Sequence, residues 1–193
     1  IEWDNVGLID ALLREKNRGG QIFVVCPRVK DIDNLYDRIV KMVPDMSISV
    51  AHGQMKINEL DNSINDFSEG KVDILISTNI IESGIDIPNA NTMIINKSDM
   101  FGLSQLYQLR GRVGRGKQRA YAYFTIDKNK ILLKKSQQRL DVIKTLDNLG
   151  AGFSLASYDM DIRGAGNLLG DEQSGQIKEV GVELYQDRLR DEV

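Results

Sequence analysis

The most constraining feature of this chain is an alternation. Short, continuous apolar runs rich in β-branched residues are separated by longer segments whose apolar residues recur every three to four positions. The runs are Gln21–Pro27, Ser47–Ala51, Val72–Ser77, Thr92–Asn96 and Ala120–Ile126. An unbroken apolar run suits a strand covered on both faces, as in a parallel sheet. Between the runs, Leu8, Ile9, Leu12 and Leu13 predict a helix over residues 6–18, stopped by Gly19-Gly20. Ile32, Leu35, Tyr36, Ile39, Val40 and Val43 predict an amphipathic helix ahead of Pro44; Leu60, Ile64 and Phe67 predict a third, closed by Gly70. A fourth is expected over Leu103–Arg110. Strands joined through such helices require right-handed crossovers, hence an α/β fold: a mostly parallel sheet with helices on both faces. In such sheets ligands collect beyond the carboxyl ends of the strands. The loops after Val25, Ala51, Ser77 and Asn96 are therefore where binding residues are expected.

From about Lys130 the pattern changes to a long helix carrying Leu132, Leu133, Leu140, Ile143, Leu146 and Leu149 and ending at Gly150, followed by a glycine-rich stretch from Gly152 to Gly175. This predicts a compact α/β domain over residues 1–130 and a helical and loop appendage over 131–193, with the boundary near 127–135. With 193 residues, 41% of them hydrophobic, the chain can bury a full core without staples. One cysteine, Cys26, and one histidine, His52, exclude a disulfide framework, a cysteine zinc cluster and a multi-histidine metal site. No apolar run approaches the roughly 20 residues that span a bilayer, and no signal peptide is visible. A cytoplasmic fragment of a longer protein, with no metal site and no membrane contact, is expected.

The net charge of −3 conceals an asymmetry: −6 over residues 1–109, +9 over 110–139 and −6 over 140–193. Local charge is thus more informative than the total. The basic block opens with Arg110-Gly-Arg112-Val-Gly-Arg115-Gly-Lys117. Glycines allow backbone to approach a ligand closely, and arginines offer planar forks of donors to phosphate. Gln105-Leu-Tyr-Gln108-Leu precedes it. A second cluster, Ser77-Thr78-Asn79-Ile-Ile-Glu82-Ser-Gly84-Ile-Asp86-Ile-Pro88, starts where a buried strand ends. Thr78 and Asn79 can donate to phosphate, Gly84 permits close approach, and Asp86 can accept from a ribose hydroxyl. His52-Gly53 follows another strand. No Walker A loop occurs: neither Gly70-Lys71 nor Gly116-Lys117 has the required glycine spacing or a following Ser or Thr. The chain alone is not expected to hold a nucleoside triphosphate with Mg²⁺.

Taken in order, QIFVV, His52-Gly53, STNIIESGIDIP and QLYQLRGRVGR resemble motifs IV, IVa, V and VI of the second RecA-like domain of superfamily 2 helicases. The segment from Arg163 to Gly175, RGAGNLLGDEQSG, resembles the translocation motif shared by RecG-type branched-DNA helicases and the transcription-repair coupling factors; its flanks, LGAGFSLA and VGVELY, lie nearer the latter. The resemblance implies an ATP-dependent double-stranded DNA translocase that displaces stalled RNA polymerase and recruits excision-repair proteins through other domains. ATP with Mg²⁺ would be bound mainly by a preceding motor domain. Arg112 and Arg115 would be arginine fingers, and Gln108 would link nucleotide to cleft. Gly84 and Asp86 would approach the nucleotide; His52, Gly53, Thr78 and Asn79 would touch the DNA backbone; Arg163 and Gln173 would couple hydrolysis to movement. Two alternatives stay open: a RecG-like enzyme acting on branched DNA, distinguished by the wording of the last 45 residues, and a non-catalytic nucleic-acid-binding module, distinguished by whether a Walker domain precedes it.

Overall fold

The computed structural model describes residues 1–78, 90–114 and 118–145, together with Leu155, Tyr158, Asp159 and Ile162. The chain forms two compact units, Ile1–Leu149 and Gly150–Val193. In the second, the four described residues are helical; Leu155 and Ile162 are buried and Tyr158 is exposed.

The first unit follows the predicted alternation. Helix α1 (Asn5–Asn17) begins at Asp4, whose carboxylate accepts from the backbone N–H groups of Val6 and Gly7, satisfying two donors that a helix start leaves open. Leu8, Ala11, Leu12 and Glu15 are its buried stripe, whereas Leu13 faces solvent. Gly19 ends the helix in the left-handed region, at φ 72°. Strand β1 (Gln21–Cys26) is buried at every position. Then come α2 (Ile32–Met42), β2 (Ile48–Ala51), α3 (Ile57–Ser68), β3 (Ile74–Thr78), β4 (Ala90–Ile95), α4 (Leu103–Arg110), β5 (Tyr121–Phe124) and α5 (Lys134–Thr145). Short 3₁₀ turns at Val29–Asp31 and Ser98–Met100 lead into α2 and α4.

The five strands form one parallel sheet in the order β2-β3-β1-β4-β5. Side chains alternate between its faces. Ile22, Val24, Cys26, Ile74, Ile76 and Ile94 meet Trp3, Leu8 and Leu12 beside α1 and Ile32, Leu35 and Ile39 of α2. The alternate positions Phe23, Val25, Leu75, Met93 and Ile95 are equally buried on the other face, and α3, carrying the fully buried Phe67, packs against β2 and β3. Residues 1–3 run beside the end of β5: the Ile1 amine donates to the Phe124 carbonyl and Trp3 N–H to that of Ile126.

Helix α5 starts at Lys134, not near Lys130, and belongs with the sheet rather than the appendage. It packs on α4 and on the 98–100 turn; Arg139 donates to the Asp99 carbonyl and Arg110 to that of Ile143. The expected boundary near 127–135 thus lies N-terminal to the division after Leu149. Among the described residues no helix is long and apolar enough to cross a membrane.

Candidate functional site

The parallel register aligns the ends of four strands. Ala51 pairs with Ser77, Cys26 with Thr78, and Asn96 N–H donates to the Val25 carbonyl over 2.8 Å. His52, Thr78 and Asn96 therefore stand at nearly one level along the carboxyl edge. His52 is half-buried; its Nδ1 accepts from Gln54 N–H at 3.3 Å and its carbonyl from Met55 N–H at 3.0 Å. Accepting at Nδ1 leaves the proton of the neutral ring on Nε2, which is then a donor. Gly53 is exposed beside it. Thr78 is only 6% exposed, and its hydroxyl has no partner among the described residues. A buried hydroxyl without a partner is costly, so one held at a strand end marks a position where a ligand can supply the missing bond.

The same edge carries a charged cluster that the sequence did not single out. Asp31 receives Arg28 Nε at one oxygen and Lys97 Nζ at the other, each at 2.8 Å. Burial raises the Asp31 carboxyl, but the two cations outweigh it and hold it below the usual carboxylate range. The cluster bridges the loops after β1 and β4 and retains one net positive charge. Lys97 takes φ 52°, a left-handed conformation uncommon outside glycine and asparagine. The loops after Val25 and Asn96 are among those where binding residues are expected, but nothing local distinguishes an isolated Arg or Lys there from a solvated one. Only the topology brings Arg28 and Lys97 to one carboxylate.

The arginine turn lies elsewhere. Leu103, Leu106 and Leu109 bury one face of α4, leaving Gln108 exposed, while Arg110 turns toward the Ile143 carbonyl at 3.4 Å. Arg112 is half-buried in the turn that follows, where its N–H donates to the Leu109 carbonyl. Gly114 takes φ 85° and approaches Ala120 so closely that an added Cβ would stand 3.0 Å from the Ala120 Cβ. Beyond it, Gln118 accepts from Asn91 at the head of β4, and the Arg119 carbonyl accepts from Arg18, just ahead of β1. The turn therefore sits toward the amino edge of the sheet. Of the candidate residues, Arg112 thus lies away from the carboxyl ends at which ligands are expected. A crossover helix returns from one strand's end to the next strand's start, so residues at its C-terminus reach the opposite edge. Arg115, Gly84, Asp86, Asn79, Arg163 and Gln173 lie outside the described residues. Among the described residues no group of His, Cys, Asp and Glu could hold a metal ion.

A five-stranded parallel sheet of this order, with an arginine turn after α4, is the architecture of the C-terminal RecA-like domain of helicase motors. Residues 4–117, more than half of the chain, match the helicase conserved C-terminal domain, and the chain belongs to that family. Over all 193 residues it is 56% identical to the transcription-repair-coupling factor of Rickettsia bellii and 55% identical to that of Rickettsia prowazekii, spanning 17% of the length of each. A solved structure of RecG bound to a three-way DNA junction superposes with a TM-score of 0.72 at 34% identity, over 96% of this chain and 25% of that one. The chain thus spans about one-sixth of the curated relatives it matches.

Proposed function

We propose that the chain is the second motor domain of an ATP-dependent double-stranded DNA translocase of transcription-coupled repair, with residues 150–193 carrying the segment that couples hydrolysis to movement. The observation that carries this reading is the separation of two phosphate-directed groups across one continuous sheet. His52, Gly53 and Thr78 stand at the carboxyl edge, while Arg112 stands toward the amino edge, within a chain whose relatives are transcription-repair-coupling factors. A rigid sheet can pass a displacement at one edge to the other without changing its own shape.

ATP with Mg²⁺ is held chiefly by the partner motor domain. This chain supplies Arg112 and Arg115 toward the γ-phosphoryl group, with Gln108 beside them and Gly84 and Asp86 close to the nucleotide. Guanidiniums placed there neutralise charge that grows during transfer and so act more on the transition state than on the bound substrate. His52, Gly53, Thr78 and Asn79 track the DNA backbone through donors to phosphate, a mode insensitive to base sequence. Arg163 and Gln173 link closure of the cleft to a step along the duplex. Contacts to stalled RNA polymerase and to excision-repair proteins belong to other domains. The likeness to RecG on a DNA junction supports a second reading, remodelling of branched DNA, by the same motor chemistry.

In the full-length protein, Arg112→Ala is expected to leave ATP binding nearly unchanged and to lower turnover by roughly 10³-fold or more, the scale of such fingers. Arg112→Lys recovers little, because an ammonium lacks the planar fork. Near-normal turnover in Arg112→Lys would return this residue to a structural role. Displacement of stalled polymerase against unwinding of a three-way junction separates the two readings.

A further inference from the structure

The cluster around Glu15 has no part in the fold's apolar logic. Glu15 is on the buried stripe of α1, only 1% exposed, where a leucine would serve packing better. Its Oε2 accepts from the Thr92 hydroxyl and from Arg18, through both Nε at 3.0 Å and Nη2. Its Oε1 is buried without a partner among the described residues. Gly20 is the residue that makes room: a Cβ there would fall 1.7 Å from Oε1. A buried carboxylate kept in place by a hydroxyl and a guanidinium, with a glycine opposite its Oε1, is expensive to maintain, and replacing such groups by apolar ones is often neutral or stabilising.

What the arrangement does is aim Arg18. With Nε and Nη2 held by Glu15, Arg18 sends Nη1 to the Arg119 carbonyl at 2.7 Å, across 101 residues of sequence. Its guanidinium lies 5.2 Å from the centre of the Tyr121 ring, which Arg119 also covers at 5.5 Å. The neighbouring Asn91 Nδ2 donates to Gln118 Oε1 at 3.2 Å. Both contacts fall on the first two residues after 115–117, while Gly114, just before that span, is packed against Ala120. The described residues that flank Arg115 in sequence, Gly114 on one side and Gln118 and Arg119 on the other, are therefore each held by a contact of their own.

We infer that Glu15 and Arg18 are a positioning pair for the arginine turn: the buried carboxylate fixes Arg18, and Arg18 fixes the returning backbone at Arg119. Neither residue touches the nucleotide. The inference rests on the reading of Arg112 and Arg115 as fingers. Its physical basis is preorganisation, since a misplacement of about 1 Å can cost on the order of a hundredfold in rate. The two-point hold of Arg18 matters because its planar fork presents Nε and Nη2 to Glu15 while Nη1, on the other side, reaches the carbonyl, a span that the single nitrogen of a lysine does not reproduce.

The test uses the full-length protein with Arg18→Lys and Arg18→Ala, and Arg112→Ala as reference. ATP turnover, the KM for ATP and amide hydrogen exchange across residues 111–121 are measured, with melting temperature as a check on folding. Arg18→Lys keeps the Glu15 charge paired and is expected to melt near wild type. Its exchange in 118–121 should rise and its kcat fall several-fold at a KM within about twofold. Arg18→Ala should extend the loss of kcat to roughly 10- to 100-fold. Unchanged exchange in both variants overturns the inference, as does a loss of kcat matched only by loss of folded protein. If exchange rises but Arg112→Ala leaves turnover intact, the finger reading fails and the anchoring stands. If Arg112→Ala abolishes turnover and both Arg18 variants turn over normally, the positioning role fails alone.

Discussion

Thr78→Val tests whether the carboxyl edge keeps a donor for a ligand at the expense of stability. The substitution retains a β-branched side chain in an extended strand, so backbone preference and most of the packing survive. What it removes is a buried hydroxyl with no partner among the described residues. Burying a hydroxyl without a hydrogen bond costs about 1–3 kcal/mol in protein series. Removing it should therefore stabilise the domain by about 1 kcal/mol, because part of the gain is lost to imperfect fit of the methyl group. For a chain of this size that raises the melting temperature by roughly 2–4 °C. Thermal unfolding can be followed through Trp3, the single tryptophan, which is buried with Arg38 4.2 Å above its ring. Ser77 is the internal control: its hydroxyl is also buried and without a partner among the described residues, but its side chain faces the other side of the sheet. Ser77→Ala should be neutral or stabilising and leave DNA-stimulated ATP turnover of the full-length protein unchanged. Thr78→Val should reduce that stimulation several-fold. A destabilisation of about 1 kcal/mol or more in Thr78→Val would mean that the hydroxyl is paired in solution, which removes the reason to regard it as a waiting donor. Greater stability with unchanged DNA stimulation would refute the phosphate contact.

Two further outcomes follow from titratable groups shifted by their surroundings. Burial pushes the Cys26 thiol up to about 12, against the opposing hydrogen bond from Asn96, so a thiol reagent at pH 8 should modify Cys26 only at the rate of unfolding; rapid labelling of the native chain would contradict its burial. Asp31 and Asp73 both lie below the usual carboxylate range although each is partly buried, Asp31 through Arg28 and Lys97, Asp73 through Ser47 N–H, the Ser47 hydroxyl and Lys16. Lowered carboxylates contribute stability that is complete above the unfolded value of about 3.9 and disappears as pH falls through the folded values. Urea midpoints measured from pH 7 to pH 3 should hold steady and then fall below about pH 4, less steeply in Asp73→Asn.

The sheet was legible in the sequence because its strands are covered on both faces, and Ile22–Cys26 or Ile74–Ile76 can hardly be anything but buried. The start of α5 was not. Leu132 and Leu133 continue the helical spacing, yet Asn129 adopts φ 60°, and the helix begins only after the Leu133 carbonyl takes the N–H groups of Ser136 and Gln137. Ile131 and Leu133 are left 95% and 78% exposed. Apolar spacing records which residues could share a face, not where a turn interrupts the helix. Motif order singles out His52, Thr78, Gln108 and Arg112 as candidates but not the edge on which each would stand, because that depends on crossover direction. Glu15 was invisible for the opposite reason: a glutamate on an amphipathic helix ordinarily reads as surface. Only the packed structure places it beside Thr92, 77 residues away.

The parallel ladder also gives the domain a mechanical direction. β1 is bonded on both sides, to β3 and to β4, over nearly its whole length. A pull applied along the strands, between the edge that carries His52 and the edge that carries Arg112, loads these rows of hydrogen bonds together, in shear. A pull across the strands at β2 or β5 would open the same bonds one after another, like a seam. A load carried between the two edges would thus act along the stiff axis of the sheet, while the lateral strands remain the compliant margin where force would first tear it.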